Sequence, residues 1–461
     1  MSAARAASAP QPLPAGPLVA FYGDDLTGSS AAMEVLAFAG LETVLFLQPP
    51  SPERLGAFPA ARAVGIAGMA RSQPPDWMDR ALPPVFRLLA GLGAPVLHYK
   101  VCSTFDSAPH IGSIGRAAEI GAALLDPAWI PMVVADPGMG RYQSFGNLFA
   151  MDGATGHRLD RHPTMARHPI TPMDEADLGR HLARQTALRT GLVDFVAMKR
   201  GEAAHRLDRE RAAGARIVSL DVLDPETLAE AGRLIWEQGG RPVFGIGSQG
   251  FEAALVAHWR AAGLLPAEAA LPRPPAVARI ACVSGSVSPV TAGQIAFALD
   301  HGFAGIPLDP ARAVDAVEWE RETGRAAERA LAALGEGRDP LVYTAAGPDD
   351  PAVAALRAAL PGAGLSGDAI NDRIGAGLGT ILNRVVREGR LTRAVISGGD
   401  TSGRAAARLG IDALTALAPV APGSPLCRAH GAADAPAGLE LALKGGQVGR
   451  PDFFHAVKRG A

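Results

Sequence analysis

The sequence has 461 residues, of which 48% are apolar and 20% are charged, and its formal net charge is −2. Such a chain can bury a large core and is long enough for two or three domains. The near-zero net charge excludes a global field that would attract nucleic acid or an anionic membrane, and no run of about 18 apolar residues predicts a membrane span. We therefore expect neither nucleic acid nor a membrane as a partner, and homo-oligomer formation stays open.

The N-terminal segment and the cysteines indicate a cytoplasmic protein. Residues 1–16 are rich in Ala and Pro and lack the apolar core of a signal peptide, so we predict a disordered tail. Cys102, Cys282 and Cys427 are far apart, odd in number and without C-x-x-C spacing. A reducing compartment fits this usage best, because disulfide frameworks require paired, regularly placed cysteines.

Short apolar runs alternate with Ala- and Leu-rich helical stretches along the chain, which is typical of parallel strands joined by crossover helices. We predict an α/β fold with two domains, each with a mostly parallel sheet flanked by helices. The first domain is expected over residues 17–260. Its predicted strands lie in LVAFYG, ETVLFL, ARAVGIAG, APVLHYK, IPMVVAD, RIVSLDV and RPVFGIG.

Charged and hydroxylated side chains directly follow three of these runs. Open α/β sheets build ligand crevices at the carboxyl ends of their strands, so we expect these side chains to lie together. Arg binds carboxylates through a planar fork, Lys supplies a point charge, and Ser and Thr can bind hydroxyls, which suits a small hydroxylated acid. An exposed loop or a helix cap is the alternative for each residue alone. The residues are Asp24 and Asp25, Arg71 and Ser72, and Lys100, Ser103 and Thr104.

Residues 151–182 show little that resembles regular structure before Thr171 and Pro172, which are typical of a helix N-cap and first turn. A loop this long inside a compact domain is usually functional or mobile. Its histidines match no common zinc pattern in their spacing, so we interpret them as solvated or structural. They are His157, His162 and His168.

A G-x-G-x-x-G motif at Gly245, Gly247 and Gly250 lies between a predicted strand and a helix, where a dinucleotide fingerprint would lie. The acidic residue expected about 20 positions later would be Glu268, in a Pro-rich segment, so we favour a tight strand-to-helix turn over a nicotinamide site. That segment, residues 261–278, is the predicted linker between the domains, because Pro lacks the amide hydrogen that interior helices and central strands need.

The second domain, predicted over residues 279–461, contains three Gly- or Ser-rich turns. Residues 284–288 and 397–403 each follow a predicted strand and precede a helix, where backbone amides and the helix dipole can hold a phosphate. A simple Ser N-cap is the alternative for the first turn. Residues 444–446 place Lys444 beside two glycines, and for this segment alone we favour a structural turn. The predicted strands include ARIACVSG, LVYTAAG and RAVISGG.

Six motifs, taken in order, resemble the four-carbon acid sugar kinase family, which includes 3-oxo-tetronate, threonate and erythronate kinases and a 3-oxo-isoapionate kinase. The resemblance runs from about Leu18 to His455 and implies an N-terminal domain that binds the acid sugar and a C-terminal domain that binds ATP with Mg²⁺. The motifs are GDDLTGSS, ARS, YKVCST, SGSVSPVTAGQI, SGGDTSG and LALKGGQVG.

The resemblance also assigns site residues. One of Asp24 and Asp25 would bind the substrate and act as the catalytic base, while the other would cap a helix or bind Mg²⁺; the remaining metal ligands are unknown. The implied substrate contacts are Arg71, Ser72, Lys100, Val101, Cys102 and Ser103, and the implied ATP contacts are Ser286, Gly399, Asp400, Thr401, Ser402 and Gly446.

The chain departs from the family's common K-x-D-S-T-L-R-G-N pattern, because Cys102 replaces the aspartate and FDSAPHIGSIGR replaces the Arg-Gly-Asn run. A carboxylate and a cation are thus lost or moved, and Asp106 and Arg116 are the candidate substitutes. Cys102 has no identifiable histidine partner, so we interpret it as a small strand-end residue and not as a nucleophile. The segment YKVCSTFDS resembles the branch that contains 3-oxo-isoapionate kinase, and the sugar acid stays open.

We therefore expect an ATP-dependent kinase that phosphorylates a hydroxyl of a small sugar acid, with an aspartate accepting the hydroxyl proton. One alternative is a nucleotide-regulated sugar-acid binding protein without turnover, which would not need catalytic carboxylates. The other is an NAD-dependent reductase that uses Gly245 to Gly250. A kinase with its sites on two domains would close around them, with the linker as a hinge region.

Overall fold

The computed structural model of the protein describes residues 12–168, 170–238, 242–268, 271–362, 364–431 and 435–460. Residues 1–11 of the predicted tail and residues 269–270 of the predicted linker lie outside the described residues. In the described ranges, none of the helices has both the length and the apolar character that a membrane span requires.

The strands of the described chain are short, and most of their residues are buried. Burial of every residue of β1 shows that both faces of the central sheet are covered, as in sheets with crossover helices on both sides. The strands are β1 (Val19–Gly23), β2 (Thr43–Phe46), β3 (Ala63–Ala67), β4 (Val96–Lys100), β5 (Ile130–Val133), β6 (Arg141–Ser144), β7 (Asn147–Asp152), β8 (Thr155–Arg158), β9 (Thr190–Val193), β10 (Ile217–Leu220), β11 (Val243–Gly247), β12 (Ala281–Ser284), β13 (Phe303–Pro307), β14 (Asp339–Tyr343), β15 (Arg393–Ser397), β16 (Ile411–Ala421), β17 (Ser424–Gly431) and β18 (Glu440–Lys444).

Many of the helices begin after an Asp or Ser whose side chain accepts a hydrogen bond from a free amide of the first turn. The helices of the described ranges are α1 (Leu26–Ala37), α2 (Pro52–Gly56), α3 (Pro75–Ala90), α4 (Ile114–Leu125), α5 (Leu178–Leu182), α6 (Phe195–Lys199), α7 (Ala203–Ala212), α8 (Pro225–Gln238), α9 (Gly250–Ala261), α10 (Pro289–Asp300), α11 (Ala316–Gly335), α12 (Pro351–Ala359), α13 (Gly367–Glu388), α14 (Gly399–Arg408) and α15 (Phe453–Arg459).

The large sheet consists of two parallel blocks. The N-terminal block has the order β2-β3-β1-β4-β11-β5-β10-β9, and the C-terminal block has the order β13-β14-β12-β15-β18. Neighbouring strands within each block run parallel. The predicted α/β fold with mostly parallel sheets flanked by helices is therefore confirmed.

A hairpin that the sequence analysis missed joins the two blocks into one continuous sheet. β16 and β17 pair antiparallel, β17 pairs with β18, and β16 pairs with β2 of the N-terminal block. Next to this junction, the guanidinium of Arg54 binds both carboxylate oxygens of Asp412, at 2.8 and 2.7 Å. The predicted domain boundaries stay predictions, because sheet pairing alone does not define where each domain ends.

The prediction of little regular structure in residues 151–182 is wrong for the start of that segment. β6, β7 and β8 form a separate antiparallel sheet, in which a two-residue turn of Gly153 and Ala154 connects β7 to β8. Gly at the first position of such a turn is the type II′ hairpin signal. The polar composition of β8 concealed this strand.

The predicted helix start at Thr171 is also wrong. The backbone amide of Thr171 donates to Nδ1 of His168 at 3.1 Å, and the Thr171 hydroxyl lies 3.0 Å from the same atom, so this side chain does not cap a helix. α5 begins seven residues later, after Asp177, whose carboxylate accepts a hydrogen bond from the Arg180 amide at 3.0 Å.

Candidate functional site

Three neighbouring parallel strands end at a cluster of charged side chains. β1 lies between β3 and β4, so Asp24 after β1, Arg71 after β3 and Lys100 at the end of β4 lie at one edge of the sheet. The backbone connects them, because the Asp24 amide donates to the Lys100 carbonyl at 2.9 Å and the Arg71 amide donates to the Asp24 carbonyl at 3.1 Å. The structure thus brings together three residues that the sequence analysis selected.

The two adjacent aspartates have different environments. Asp25 is the N-cap of α1, where its carboxylate accepts hydrogen bonds from the Gly28 amide at 2.9 Å and the Thr27 hydroxyl at 2.6 Å. Asp24 is only 2% exposed. A guanidinium nitrogen of Arg71 lies 3.3 Å from one oxygen of each carboxylate.

These environments change the two acidities in opposite directions. Burial raises the pKa of Asp24 to about 6, and the positive charge of Arg71 offsets only part of that effect. For Asp25, burial is outweighed by the charges of Arg71 and Lys100 and by the hydrogen bonds at the start of α1, so its pKa is lowered. Asp24 is therefore suited to proton transfer near neutral pH, whereas Asp25 is suited to capping.

Arg71 and Lys100 give this cluster its positive charge. Nε of Arg71 is buried and has no hydrogen-bond partner in the described chain, so one donor of its fork is free for an oxygen ligand. Lys100 is 1% exposed. A Cβ at Gly28 would lie 2.3 Å from Lys100 Nζ, so glycine there leaves room for the ammonium group.

The segment after β4 contains Cys102, at the position where the family's common pattern has an aspartate. The Cys102 thiol lies 3.0 Å from the Thr104 hydroxyl, which donates to Oδ1 of Asp106 at 2.6 Å. Burial raises the pKa of the Cys102 thiol, which agrees with a residue that is not a nucleophile. Of the two candidate substitutes, Asp106 is close enough to Arg71 for the guanidinium charge to lower the pKa of its carboxyl, while Arg116 pairs with Asp79 and Glu119.

Three further residues predicted as substrate contacts lie at the edge of this cluster or outside it. The Ser72 hydroxyl is exposed and donates to the Met69 carbonyl at 3.1 Å. Val101 is fully buried, and its amide donates to the Gly247 carbonyl at 2.7 Å, so it contributes packing. Ser103 is partly exposed in the turn after β4.

A second set of strand ends carries the Gly- and Ser-rich turns. β15 lies between β12 and β18 in parallel pairing, so the turns after Ser284, Ser397 and Lys444 are neighbours. The Gly398 amide donates to the Lys444 carbonyl at 2.8 Å, and the Gly285 amide donates to the Ser397 carbonyl at 3.0 Å. The structure therefore brings together all three turns noted in the sequence.

Hydroxyl groups connect the first turn to the third. Ser286 Oγ accepts a hydrogen bond from the Ser288 amide at 3.3 Å and lies 3.1 Å from the Thr291 hydroxyl. The Ser288 hydroxyl donates to the Gly446 carbonyl, which also lies 3.0 Å from the Thr291 hydroxyl. The side chain of Ser288 caps α10, as the N-cap interpretation predicts.

Because the resemblance implies that ATP binds at these turns, replacing Gly446 with Ala is expected to raise the KM for ATP by about tenfold, with little change in the KM for the second substrate. A Cβ at Gly446 would lie 2.8 Å from Ser286 Oγ, so the Ser286 hydroxyl or the turn that carries Gly446 would have to shift. Steady-state kinetics of Gly446→Ala should be compared with Gly293→Ala in α10, where the added methyl meets no atom within 4 Å. Equal KM values for ATP in both variants would contradict the expectation.

Residues 399–402, interpreted from the sequence as a loop, form the first turn of α14. The Ser402 hydroxyl donates to the Gly398 carbonyl at 2.7 Å, and a Cβ at Gly285 would lie 2.3 Å from Thr401 Oγ1. The Ser402 hydroxyl thus braces the turn, and the Thr401 hydroxyl lies beside Gly285 of the first turn. The first-turn amides, including that of Asp400, are the groups a helix start leaves available for a phosphate.

Lys444 is the site residue that the sequence analysis undervalued. Its side chain is fully buried, and Nζ donates to the Thr291 hydroxyl at 3.1 Å and to the Gly445 carbonyl at 2.9 Å. Burial lowers the pKa of this amine to about 8. An ammonium group has three donors, so one remains for an anion at the three turns. The position of Lys444 at the end of a strand was the feature of the sequence that could have indicated a role in the site.

The two clusters lie at the starts of helices that contact each other. α1, which begins after Asp25, packs against α14, which begins after Gly398. A Cβ at Gly403, in the second turn of α14, would lie 3.8 Å from Leu26 Cδ2 in the first turn of α1, so the N-terminal halves of the two helices lie close together. The cluster of Asp24, Arg71 and Lys100 and the turn before α14 are thus at the starts of two helices that pack together.

The G-x-G-x-x-G motif is explained by close packing within the protein. A Cβ at Gly247 would lie 1.8 Å from the Val133 carbonyl oxygen, and a Cβ at Gly250 would lie 2.1 Å from the Ala135 carbonyl oxygen. These approaches agree with the tight strand-to-helix turn between β11 and α9.

The histidines of the segment after β7 bind backbone and side-chain groups nearby. His162 Nδ1 accepts from the amides of Thr164 and Met165 at 3.2 and 3.3 Å, and His168 Nδ1 accepts from Thr171. Among the residues that the structure describes, no group of three or more His, Cys, Asp or Glu side chains could hold a metal ion.

Comparison with known proteins agrees with this two-part site. Residues 19–255 match the family described as a sugar-binding N-terminal domain, and residues 281–454 match the family described as a nucleotide-binding C-terminal domain. A 3-oxo-isoapionate kinase of Paraburkholderia graminis is 51% identical over 97% of this chain and 95% of its own length. A 3-oxo-tetronate kinase of Cupriavidus necator is 33% identical over 96% of this chain and 97% of its own length.

Solved structures share the architecture. A Salmonella typhimurium LT2 protein, described provisionally as a tRNA synthase, has a TM-score of 0.76 at 26% identity and covers 96% of this chain and 98% of its own. A Haemophilus influenzae protein has a TM-score of 0.71 at 25% identity and covers 95% and 99%. The family matches and the named relatives define a kinase with a sugar-binding and a nucleotide-binding half. The chain belongs to the four-carbon acid sugar kinase family, and it is an ATP-dependent phosphotransferase that acts on a hydroxyl of a sugar acid.

Proposed function

We propose that this protein is a cytoplasmic kinase that transfers the γ-phosphoryl group of ATP to a hydroxyl of 3-oxo-isoapionate. The observation that supports the kinase mechanism is the packing of α1 against α14, because Asp24 precedes α1 and the Gly-rich turn suited to phosphate precedes α14. The choice of acid is supported by the relative that is 51% identical to this chain. The 3-oxo-tetronates are the second candidate, supported by more distant relatives at 29 to 34% identity.

The cluster of Asp24, Arg71 and Lys100 would bind the sugar acid. The free Nε of Arg71 and the ammonium group of Lys100 supply donors for a carboxylate, and charge-assisted hydrogen bonds of this kind are strong when partly buried. The Ser103 hydroxyl would lie at the entrance. Arg71 would also keep Asp24 and Asp25 in place, because it bridges both carboxylates.

The nucleotide would lie along the three turns. The amides at the start of α14, the hydroxyl of Ser286 and the buried ammonium of Lys444 are donors and positive charges gathered in one place, which is what phosphate oxygens require. Glycine at position 446 keeps the turn close to Ser286. Mg²⁺ would reduce the charge of the phosphate oxygens, which it usually binds together with one or two carboxylates.

In the chemical step, the substrate hydroxyl oxygen forms a bond to the γ-phosphorus while the bond from that phosphorus to the bridging oxygen of ADP breaks. The hydroxyl proton passes to the carboxylate of Asp24, which is mainly ionised above pH 6 because burial raises its pKa only to about 6. Asp25 fixes the start of α1 and thereby the position of Asp24. Bringing both substrates together in one site supplies orientation, which is a large part of phosphoryl-transfer catalysis.

A panel assay tests the substrate. ADP release should be measured with ATP, Mg²⁺ and, in turn, 3-oxo-isoapionate, 3-oxo-tetronates, threonates and erythronates. We expect kcat/KM for 3-oxo-isoapionate to exceed that for the four-carbon acids by about tenfold or more, a typical discrimination for one added group. A higher value for a 3-oxo-tetronate would transfer the assignment to that acid. Nucleotide binding without turnover of any acid would contradict the kinase proposal and favour a binding protein.

A further inference from the structure

The segment between Cys102 and Ser107 contains an unusual backbone conformation. Phe105 has a φ of 55°, a left-handed value that is an outlier for a bulky residue. Its ring is fully buried and lies edge-on to the ring of His181, with 6.0 Å between centroids. Such strain persists only where the surroundings hold it, and it tends to occur at functional positions.

Hydrogen bonds on both sides hold this conformation. The Phe105 amide donates to the Cys102 carbonyl at 3.0 Å, and the Ser107 hydroxyl donates to the Phe105 carbonyl at 3.0 Å. Gln185 in turn donates to the Ser107 hydroxyl at 2.8 Å. The turn is thus fixed from within its own segment and from the loop that follows α5.

The strained turn holds Asp106 near the cluster, close enough for the charge of Arg71 to lower the pKa of its carboxyl. Asp106 is 5% exposed, and its Oδ1 accepts the Thr104 hydroxyl at 2.6 Å. Burial by itself would raise the pKa of Asp106, but the charge of Arg71 and the hydrogen bond from Thr104 outweigh burial, and the pKa is lowered. Asp106 is therefore an ionised carboxylate in a site that also contains Arg71 and Asp24.

An ionised carboxylate offers about four acceptor positions on its two oxygens, and the Thr104 hydroxyl occupies one. We infer that Asp106 accepts a hydrogen bond from a hydroxyl of the sugar acid and thereby helps to select the acid that this kinase accepts. The inference rests on the proposed function, because it assigns to Asp106 a contact with the substrate of that reaction. A polyhydroxylated acid has the donors that match this acceptor, whereas Arg71 and Lys100 match its carboxylate.

The test combines two protein variants with two forms of the substrate. Asp106→Asn is expected to lower kcat/KM for the preferred sugar acid by about tenfold, because the charged acceptor of the hydrogen bond becomes a neutral one, with the KM for ATP changed by less than about twofold. Deoxy analogues that lack single hydroxyls should be measured alongside. For one of them, the penalty seen with the wild-type enzyme should shrink in Asp106→Asn, because a neutral amide oxygen is a weaker acceptor for that hydroxyl than the carboxylate.

Thr104 provides a matched pair that keeps the carboxylate itself. Thr104→Val removes the hydroxyl that positions Asp106 and is expected to lower kcat/KM about tenfold, whereas Thr104→Ser retains the hydroxyl and should stay near the wild-type value. Asp79→Asn, at the exposed pair with Arg116, serves as a charge control. Unchanged discrimination among the analogues in both Asp106→Asn and Thr104→Val would overturn the inference while leaving the kinase assignment intact. Absence of turnover in the wild-type enzyme would instead refute the proposed function.

Discussion

Replacing Asp24 with Asn is expected to lower kcat by about 10³-fold, within the range reported for loss of a general base, whereas Asp25→Asn should lower it by only about tenfold. Asp24 is the buried carboxylate assigned to receive the hydroxyl proton. Asn cannot accept that proton as a base. At position 25, however, Asn is a good N-cap, so the amide contact that begins α1 can survive the substitution.

The assignment of Asp24 as the base also predicts how kcat/KM for the sugar acid depends on pH, and the same two variants test it. Burial raises the pKa of Asp24 to about 6, so the carboxylate is protonated below that pH and cannot accept a proton. The rate should therefore rise with pH up to about 6 and level off above it. We expect Asp25→Asn to keep this limb and Asp24→Asn to lose it.

Stopped assays of ADP formation between pH 4.5 and 8, with circular dichroism to check folding at each pH, would measure these profiles. Asp25→Asn provides the control for removal of one negative charge next to Arg71. Equal losses in both variants, or an acid limb that persists in Asp24→Asn, would show that the base is a different group.

The strands and their polar ends were predictable because the relevant physics is local. An apolar run such as LVAFYG followed by two aspartates signals a buried strand that ends at a crevice, and β1 with Asp24 follows that pattern. The different roles of the two aspartates were not predictable, since burial and the position of Arg71 depend on β3 packing beside β1. The sequence therefore predicts that both carboxylates lie at the end of a strand, whereas their different roles follow from tertiary packing.

Three features of the fold and the candidate site could not be predicted from the local sequence. β16 reads IDALTALAPVA, which lacks a clear alternation, and its pairing with β2 joins segments more than 300 residues apart. The position of Asp106 depends on a positive φ at Phe105 that no sequence rule assigns to phenylalanine. Lys444 resembled a lysine in a surface turn, because only the meeting of three turns buries it.

Replacing Lys444 with Met is expected to raise the KM for ATP and the Kd for ADP by about 10- to 100-fold, since a charge-assisted contact to phosphate would be lost. The affinity for adenosine should stay within about twofold, because adenosine has no phosphate to contact this ammonium group. The thermal midpoint should be unchanged or higher, since a buried charge without a carboxylate partner among its hydrogen-bond acceptors is replaced by an apolar side chain of similar length.

Titration calorimetry with adenosine, AMP, ADP and ATP would measure the dependence on phosphate number, and Lys199→Met, which removes an exposed ammonium paired with Asp224 and Glu226, is the matched control. A loss that grows from adenosine to ATP in Lys444→Met alone would place the charge at the phosphates. Equal weakening for all four ligands would mean that Lys444 only braces the turn through Thr291 and Gly445. The phosphate series separates these roles because bracing affects the whole nucleotide site, whereas a cation acts on the charged part of the ligand.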